Sequence, residues 1–387
     1  MPEAVIVDAV RTPIGRAFKG SLTQIRPDDM AAFVIDQLLE RNPDVDPASV
    51  YDVICGCGMT QGEQAYNIGR TAALLSEKLP DSVTGATIAR YCASSLNAIQ
   101  IAADSIRAGT AEVYIAAGVE SVSRVGPNSE ATLPETQNPK LQGKDGTPNV
   151  YIPMGETAEN VAEKFGVKRE DMDEYATRSQ NLAVESRDQG FFDREIVAVE
   201  TPDRGTVDKD DGPRPGTTVE KLAELQPAFR ENGTVTAGNS CPLNDGAAAV
   251  LLTSDEKAKE LGLEPRARVI ASATSGLEPE IMGVAPIGAI HNVLQRAGMT
   301  IGDVDVVELN EAFAAQVIPI MEKCEIPLEK LNPHGGAIAL GHPFGMTGAR
   351  IMTTLLNDLE TDDKQIGLET MCVAGGQGFA MIVERMN

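Results

Sequence analysis

Apolar positions along the chain switch repeatedly between two periods. Runs of strand length appear at Ala4-Val-Ile-Val-Asp8, Val53-Ile-Cys-Gly56 and Glu112-Val-Tyr-Ile-Ala-Ala-Gly118. Between them the spacing is helical. Ala31, Val34, Ile35 and Leu38 mark one apolar face, opened by Arg26-Pro-Asp-Asp and stopped by Asn42-Pro43. A more polar helix is expected over 65–76, and Leu96, Ile99, Ala103 and Ile106 give another that stops at Gly109. Strands alternating with helices predict an α/β domain on a largely parallel sheet.

The texture changes from about 121 to 235. Pro, Gly, Asn, Thr and charges crowd 126–150 and 201–216, with one helical block expected over 157–185. This stretch reads as a loop-rich insertion, and such loops tend to carry function. Regular pattern returns with the apolar strand Gly246–Thr253 and the charged helix Asp255–Leu261. The last third then repeats the first. Arg268-Val-Ile-Ala271 is a strand, and Ile290, Val293, Leu294 and Ala297 mark a helix. Asp303-Val-Asp leads to the strand Val306–Leu309, as Asp44-Val-Asp leads to the earlier one. Gly341–Ala349 is a turn opening a helix faced by Met352, Leu355, Leu356 and Leu359, with a strand near 367–371 behind it. We read an internal duplication. Residues 1–120 with 236–264 form one half, 121–235 the insertion, and 265–387 the second half.

Composition narrows the function without naming it. A chain of 387 residues is long for one core, and 23 % charged residues is ordinary for a globular protein. The net charge of -24 argues against nucleic acid as a partner and requires local cations wherever an anionic ligand binds. No run is long enough for a membrane helix, and the first residues show no secretory pattern. Six scattered cysteines predict reduced thiols in a cytosol. Cys55-Gly-Cys57 lacks a second ligand pair, so no metal site is expected. No Gly-x-Gly-x-x-Gly follows the first strand, which removes a dinucleotide-binding reading.

Chemistry concentrates in three turns. Arg90-Tyr-Cys-Ala-Ser puts Cys92 at a helix start, where free N–H groups and the helix dipole favour a thiolate. Taken alone, a cysteine there reads first as buried core. The duplicate turn, Gly341-His-Pro-Phe-Gly-Met-Thr-Gly-Ala-Arg350, carries His342. Met371-Cys-Val-Ala-Gly-Gly-Gln-Gly378 carries a second thiol, Cys372. A nucleophilic thiol needs a base in hydrogen-bond reach, and imidazole suits that task near neutrality. Glycine-rich turns can aim backbone N–H groups at an oxyanion. A Cys–His acyl-transfer site stands here beside the bland alternative. Of the other histidines, His334 reads as structural or solvent-facing and His291 as an ordinary helix residue, while Glu311 reads as an orienting group.

The motifs taken together resemble the thiolases, the acetyl-CoA C-acyltransferases and C-acetyltransferases. Asn310-Glu-Ala-Phe-Ala314, Gly335-Gly-Ala-Ile-Ala-Leu-Gly-His-Pro343 and Cys372–Gly378 are similar to that family's C-terminal signatures. Arg90-Tyr-Cys-Ala-Ser, Met154-Gly-Glu-Thr-Ala-Glu-Asn160 and Thr236–Gly246 match its remaining blocks in order, so the resemblance spans the chain. It implies duplicated βαβαβαββ halves packed as a five-layered αβαβα core with an inserted loop domain. It also implies that Cys92 is the acylated nucleophile, His342 its base and Cys372 the second acid/base. Asn310 would order a water that forms one oxyanion hole with His342; the N–H groups of Cys92 and Ala374 would form the other. Two positions depart from the family pattern. Ala374 stands where Gly is usual, which preserves the donor only if φ is negative there. Ser95 also stands where Gly is usual, with little effect expected.

Coenzyme A is implied as substrate, with no permanently bound cofactor. Arg214 matches a position near its adenosine end, and Met154, Phe229, Ala237, Ser240 and Phe313 match positions lining the pantetheine and acyl tunnel. Cys241 stands where relatives usually have a Ser touching pantetheine, and a thiol is a weaker partner. Pro153 precedes Met-Gly where many biosynthetic acetoacetyl-CoA thiolases have His. That favours degradative 3-ketoacyl-CoA thiolysis, as in β-oxidation, with acetoacetyl-CoA thiolase as the alternative. Asn310 and Cys372 argue against a ketoacyl synthase, and the complete set of site residues argues against a binding-only paralogue. The resemblance further implies a homodimer or homotetramer, with the 121–150 stretch available for further assembly or for other β-oxidation enzymes.

Overall fold

A computed structural model describes residues 2–126 and 134–386. Part of the stretch suggested for further assembly, 127–133, lies outside them. The first half runs β1 (Ala4–Arg11), β2 (Gly15–Arg16), α1 (Pro27–Arg41), β3 (Asp52–Cys57), α2 (Ile68–Leu75), β4 (Thr84–Ile88), α3 (Ser94–Arg107), β5 (Val113–Ser121) and α4 (Val122–Val125). The insertion contributes α5 (Met154–Phe165), α6 (Arg169–Asp188), the hairpin β6 (Val199–Thr201) and β7 (Gly205–Val207), and α7 (Val219–Ala223). β8 (Asn244–Ser254) and α8 (Asp255–Leu261) complete the first half. The second half runs β9 (Ala267–Gly276), α9 (Pro286–Ala297), β10 (Val306–Leu309), α10 (Ala314–Lys323), α11 (Ala337–Leu340), α12 (Thr347–Thr361), β11 (Ile366–Val373) and β12 (Gln377–Arg385).

Strand order carries the duplication. The first half reads β4-β3-β5-β8-β1 across the sheet, and the second reads β10-β11-β12-β9. A parallel bridge from Val307 to Leu331 stands where β4 stands in the first half. The halves join where Val5 and Ile6 of β1 pair with Arg268 and Ala267 of β9. The sheet is mixed rather than largely parallel: β3 pairs in parallel with β4 and β5, and β10 with β11, while β5–β8, β1–β8, β11–β12 and β9–β12 are antiparallel. The last two strands of each half are antiparallel neighbours, a pairing that needs only a turn between them where a parallel pair needs a helix-sized crossover. In the second half that turn is Ala374-Gly375-Gly376. In the first half the whole insertion occupies the same place, between β5 and β8.

Side chains sort by strand alternation into layers. In β5, Tyr114 and Ala116 face an inner core while Val113, Ile115, Ala117 and Val119 face an outer one. In β12, Phe379, Met381 and Val383 face the inner core, and Ala380 and Ile382 face the opposite side. The inner core is filled by Leu96, Ile99, Ala103 and Ile106 of α3 and by Met352, Leu355, Leu356 and Leu359 of α12. Helices α1 and α2 cover the outer face of the first half, and α9 and α10 that of the second. The order is therefore helix, sheet, helices, sheet, helix. Within the insertion, the block expected over 157–185 is two helices. Gly166 caps α5 at φ 69°, and Lys168 is extended before α6 begins.

Candidate active site

The two buried helices begin side by side. The N–H of Ala349, in the first turn of α12, donates to Ser95 Oγ in the first turn of α3 at 2.9 Å. Gly348 lies so close to Leu96 that an added Cβ would sit 2.3 Å from the Leu96 nitrogen. Ser95 is fully buried and satisfies a donor that a helix start leaves without a partner, so it does more than fill a tolerated position. Ahead of α3, Tyr91–Ala93 forms a single tight turn, and Tyr91 takes the left-handed φ of 41°. The Ser94 hydroxyl closes it, accepting from Arg90 N and donating to the Tyr91 carbonyl. Cys92 is thereby fixed at the junction, facing Cys372 and Cys241.

Of the two readings of Cys92 that its position allows, a favoured thiolate and a buried thiol, the structure bears out burial. Burial pushes this thiol well above its ordinary value, with the neighbouring Cys372 and Cys241 acting in the same direction. The N–H groups of Ala374 and of Cys92 itself face the sulfur and oppose the shift without overcoming it. Ala374 is absent from the positive-φ residues; Gly375 and Gly376, at 84° and 81°, take that strain instead. The condition for a donor at Ala374 is therefore met.

His342 is held by its neighbours in one tautomer. Its backbone N–H donates to Asn244 Oδ1 at 2.9 Å, and Gly341, at φ 118°, lies against the same Asn244 side chain with no room for a Cβ. Nδ1 is 2.6 Å from Thr347 Oγ1, whose own hydrogen is donated to the Pro343 carbonyl at 2.8 Å. The hydroxyl can therefore only accept from the ring, so Nδ1 carries the proton and Nε2 presents its lone pair. Burial, with Arg350 behind it, lowers the imidazole to about 3. Asn310 Nδ2 faces Nε2 at 3.4 Å, while Asn310 Oδ1 is buried with no protein partner. The resting site thus holds a neutral thiol and a neutral imidazole, with Nε2 engaged by Asn310 rather than by Cys92. Cys372 is fully buried at the end of β11, and burial raises its thiol to about 11.

The expected coenzyme A residues divide into two groups. Arg214, Phe229, Ala237, Ser240 and Cys241 line one cavity of about 420 Å³, together with Arg16, Phe18 and Lys19. Met154 and Phe313 stand behind its wall: Phe313 meets Phe229 edge-on at 5.9 Å, and Met154 packs on the same apolar cluster. Gly155 gives the Phe229 ring its seat, since a Cβ there would lie 2.1 Å from the ring. The Ser240 hydroxyl is spent on the Thr236 carbonyl at 2.6 Å. Burial lowers Arg214, and Arg16 is close enough to act in the same direction; among the described residues neither they nor Lys19 forms an ion pair. The sequence reading missed Arg16 and Lys19, which follow the first strand in Gly15-Arg-Ala-Phe-Lys19. It also missed Thr347, five residues after His342.

The remaining polar residues are structural. Glu311 accepts from Tyr175, Ser179, Asn332 and the Ile338 N–H, tying α6 of the insertion to the loop before α12. His334 stacks on Phe191 at 3.6 Å, bonds Ser186, and is lowered by burial to about 4. His291 is exposed on α9. Among the described residues no helix is long and apolar enough to cross a membrane, and no group of side chains could hold a metal ion.

Duplicated halves bring a buried thiol, a fixed imidazole and a second thiol to one place, and the class of protein this fold defines is the acyltransferases. The chain belongs to the thiolase family. The thiolase N-terminal domain matches residues 4–256 and the thiolase C-terminal domain residues 263–385. It is 46% identical over 407 residues to a beta-ketoadipyl-CoA thiolase of Acinetobacter baylyi, covering 100% of both chains. It is 43% identical to a 3-ketoacyl-CoA thiolase of Idiomarina loihiensis, again over 100% of both. The solved structure of the Bacillus anthracis acetyl-CoA acetyltransferase superposes with a TM-score of 0.91 at 39% identity, covering 100% of this chain and 99% of that one.

Proposed function

We propose that this protein cleaves 3-ketoacyl-CoA with coenzyme A to give acetyl-CoA and a shortened acyl-CoA. The observation that carries the reading is the tautomer of His342: with Nδ1–H bound by Thr347, Nε2 keeps a lone pair, set against Asn310 Nδ2 at rest, that can accept one proton. Cys92 attacks the keto carbon as its S–H proton passes to Nε2. The bond between C2 and C3 breaks, leaving the acyl group on Cys92 and an acetyl-CoA enolate. Cys372 gives its S–H proton to C2 and keeps the electron pair as thiolate. Incoming coenzyme A returns a proton to Cys372, its sulfur takes the acyl group, and Cys92 recovers its proton from His342. Both thiols start neutral, so no charge is stored at rest, and the oxyanion donors act as charge develops. The N–H groups of Cys92 and Ala374 serve one oxygen. Protonated Nε2, with a water on the unpartnered Asn310 Oδ1, serves the other.

Coenzyme A is substrate rather than resident cofactor, and the 420 Å³ cavity is its entry, with Arg16, Lys19 and Arg214 supplying cations on an acidic protein. The degradative direction is supported by Pro153 before Met154 and by relatives named beta-ketoadipyl-CoA and 3-ketoacyl-CoA thiolase. The cytoplasm, a homodimer or homotetramer, and association with other β-oxidation enzymes complete the reading. Acetoacetyl-CoA thiolase is the second reading, on the likeness to the acetyl-CoA acetyltransferase fold. Thiolysis rates against chain length from four carbons upward, with 3-oxoadipyl-CoA included, separate the two. Longer or carboxylated substrates are expected to be preferred. A sharp optimum at acetoacetyl-CoA would select the second reading.

A further inference from the structure

One buried side chain outside the steps above touches a reacting sulfur. Gln316 lies in the first turn of α10, fully buried, with the edge of its amide against Cys372. Nε2 is 3.2 Å from Sγ, and Oε1 is 3.4 Å from it. The sulfur is the side-chain partner that both amide atoms have among the described residues. The stem is pinned as well. Gly283 lies so close that an added Cβ would stand 2.9 Å from Gln316 Cβ and 3.6 Å from Val161 of α5.

A carboxamide presents one donor and one acceptor on a single edge. A thiol needs an acceptor for its hydrogen, and a thiolate needs a donor, so this amide serves both states without moving. We propose that Gln316 is the positioning residue of the second thiol: Oε1 holds the S–H of resting Cys372, and Nε2–H holds the sulfur once its proton has gone to substrate carbon. The inference rests on the acid/base role proposed for Cys372. In that step the S–H bond breaks, a C–H bond forms at C2, and the sulfur retains the pair that Nε2–H then stabilises. Surrounding charge does not supply this help. The titratable groups around Cys372 are the thiols Cys92, before α3, and Cys241, before β8; Glu311 bears on Cys241 and disfavours its thiolate. Of the influences on Cys372, burial opposes the thiolate, while Gln316 and the backbone N–H of Cys372 favour it.

The test reads alkylation of Cys372 by iodoacetamide against pH, in a Cys92→Ser background, with the modified peptide located by mass spectrometry. Gln316→Met, which removes donor and acceptor at similar volume, is expected to slow alkylation about tenfold at fixed pH. Gln316→Glu, which accepts but cannot donate once ionised, is expected to slow it at least as much. With Cys92 restored, both variants should slow ketoacyl cleavage by about tenfold or more while acetyl-CoA still labels Cys92. Parent-like alkylation curves for both variants would reduce Gln316 to packing and overturn the proposal. If Gln316→Met does not fold, Gln316→Glu decides alone. Full cleavage by Cys372→Ala would instead remove the acid/base role, and the alkylation measurement keeps the two failures apart.

Discussion

The two halves have the same strand order and the same buried helix, yet opposite endowments at equivalent places. The turn before α3 carries a thiol, and the turn before α12 carries an imidazole. The connection from β11 to β12 is three residues, and one of them aims an N–H at the Cys92 sulfur. The connection from β5 to β8 is the whole insertion, which walls the cavity. A duplicated scaffold thus supplies two rigid helix starts facing one space, and divergence of the turns divides the labour between them. In the proposed reaction, rigid elements would hold the reacting groups and the long connection would handle the substrate.

If the division is real, removing each thiol must fail differently. Cys92→Ala should abolish acyl-enzyme and lower turnover by at least about a thousandfold, read as the mass shift after acetyl-CoA treatment. Cys372→Ala should keep that mass shift and lose carbon–carbon cleavage by about a hundredfold or more. Normal turnover by either variant would dissolve the contrast. A smaller effect tests the imidazole side. Thr347→Val leaves Nδ1 without its acceptor and frees the other tautomer, so kcat should fall by about tenfold or more, with Thr347→Ser restoring it. The pH profile gives an independent reading. The folded imidazole is lowered to about 3, so it stays neutral as pH falls from 7.5 to 5.5, and kcat/KM should show no acid limb near the ordinary 6.5. An inflection at 6.5 would mean that His342 is more hydrated than its burial shows.

Much of the contrast was legible in order along the chain. Periodicity located the strands and helices, and the repeated Asp-x-Asp entry to a strand exposed the duplication. Cys92, His342 and Cys372 stood in recognisable turns. Antiparallel closure was not legible, because a long connection allows either direction and the insertion separates the two strands of one of the pairs. The charge state of Cys92 was left between two readings for a related reason. A helix start can be read from spacing, whereas burial depends on how two distant helices pack, and here burial outweighs the dipole. Gln316 and Thr347 were missed because each meets its partner only in the folded chain, and Arg16 because the cavity it lines is built from distant segments.

Ser95 offers the finest test of how the halves are joined. Its hydroxyl oxygen is the partner of the Ala349 N–H, one of the donors that the start of α12 leaves open. There is no slack to replace it: Gly118 lacks the room for a Cβ beside Ser95, and Gly56 lacks it beside the Ser95 nitrogen. Ser95→Ala keeps the volume nearly constant and removes only the acceptor. A buried N–H left unpaired costs about 1–3 kcal/mol, so thermal or denaturant unfolding should show a loss of that order. The same bond ties the helix start beside Cys92 to the one beside His342, so the loss should be accompanied by a fall in kcat of less than tenfold. A variant that loses stability but keeps kcat unchanged would show that the bond joins the halves without aligning their catalytic turns. Unchanged stability would show that another acceptor replaces Oγ.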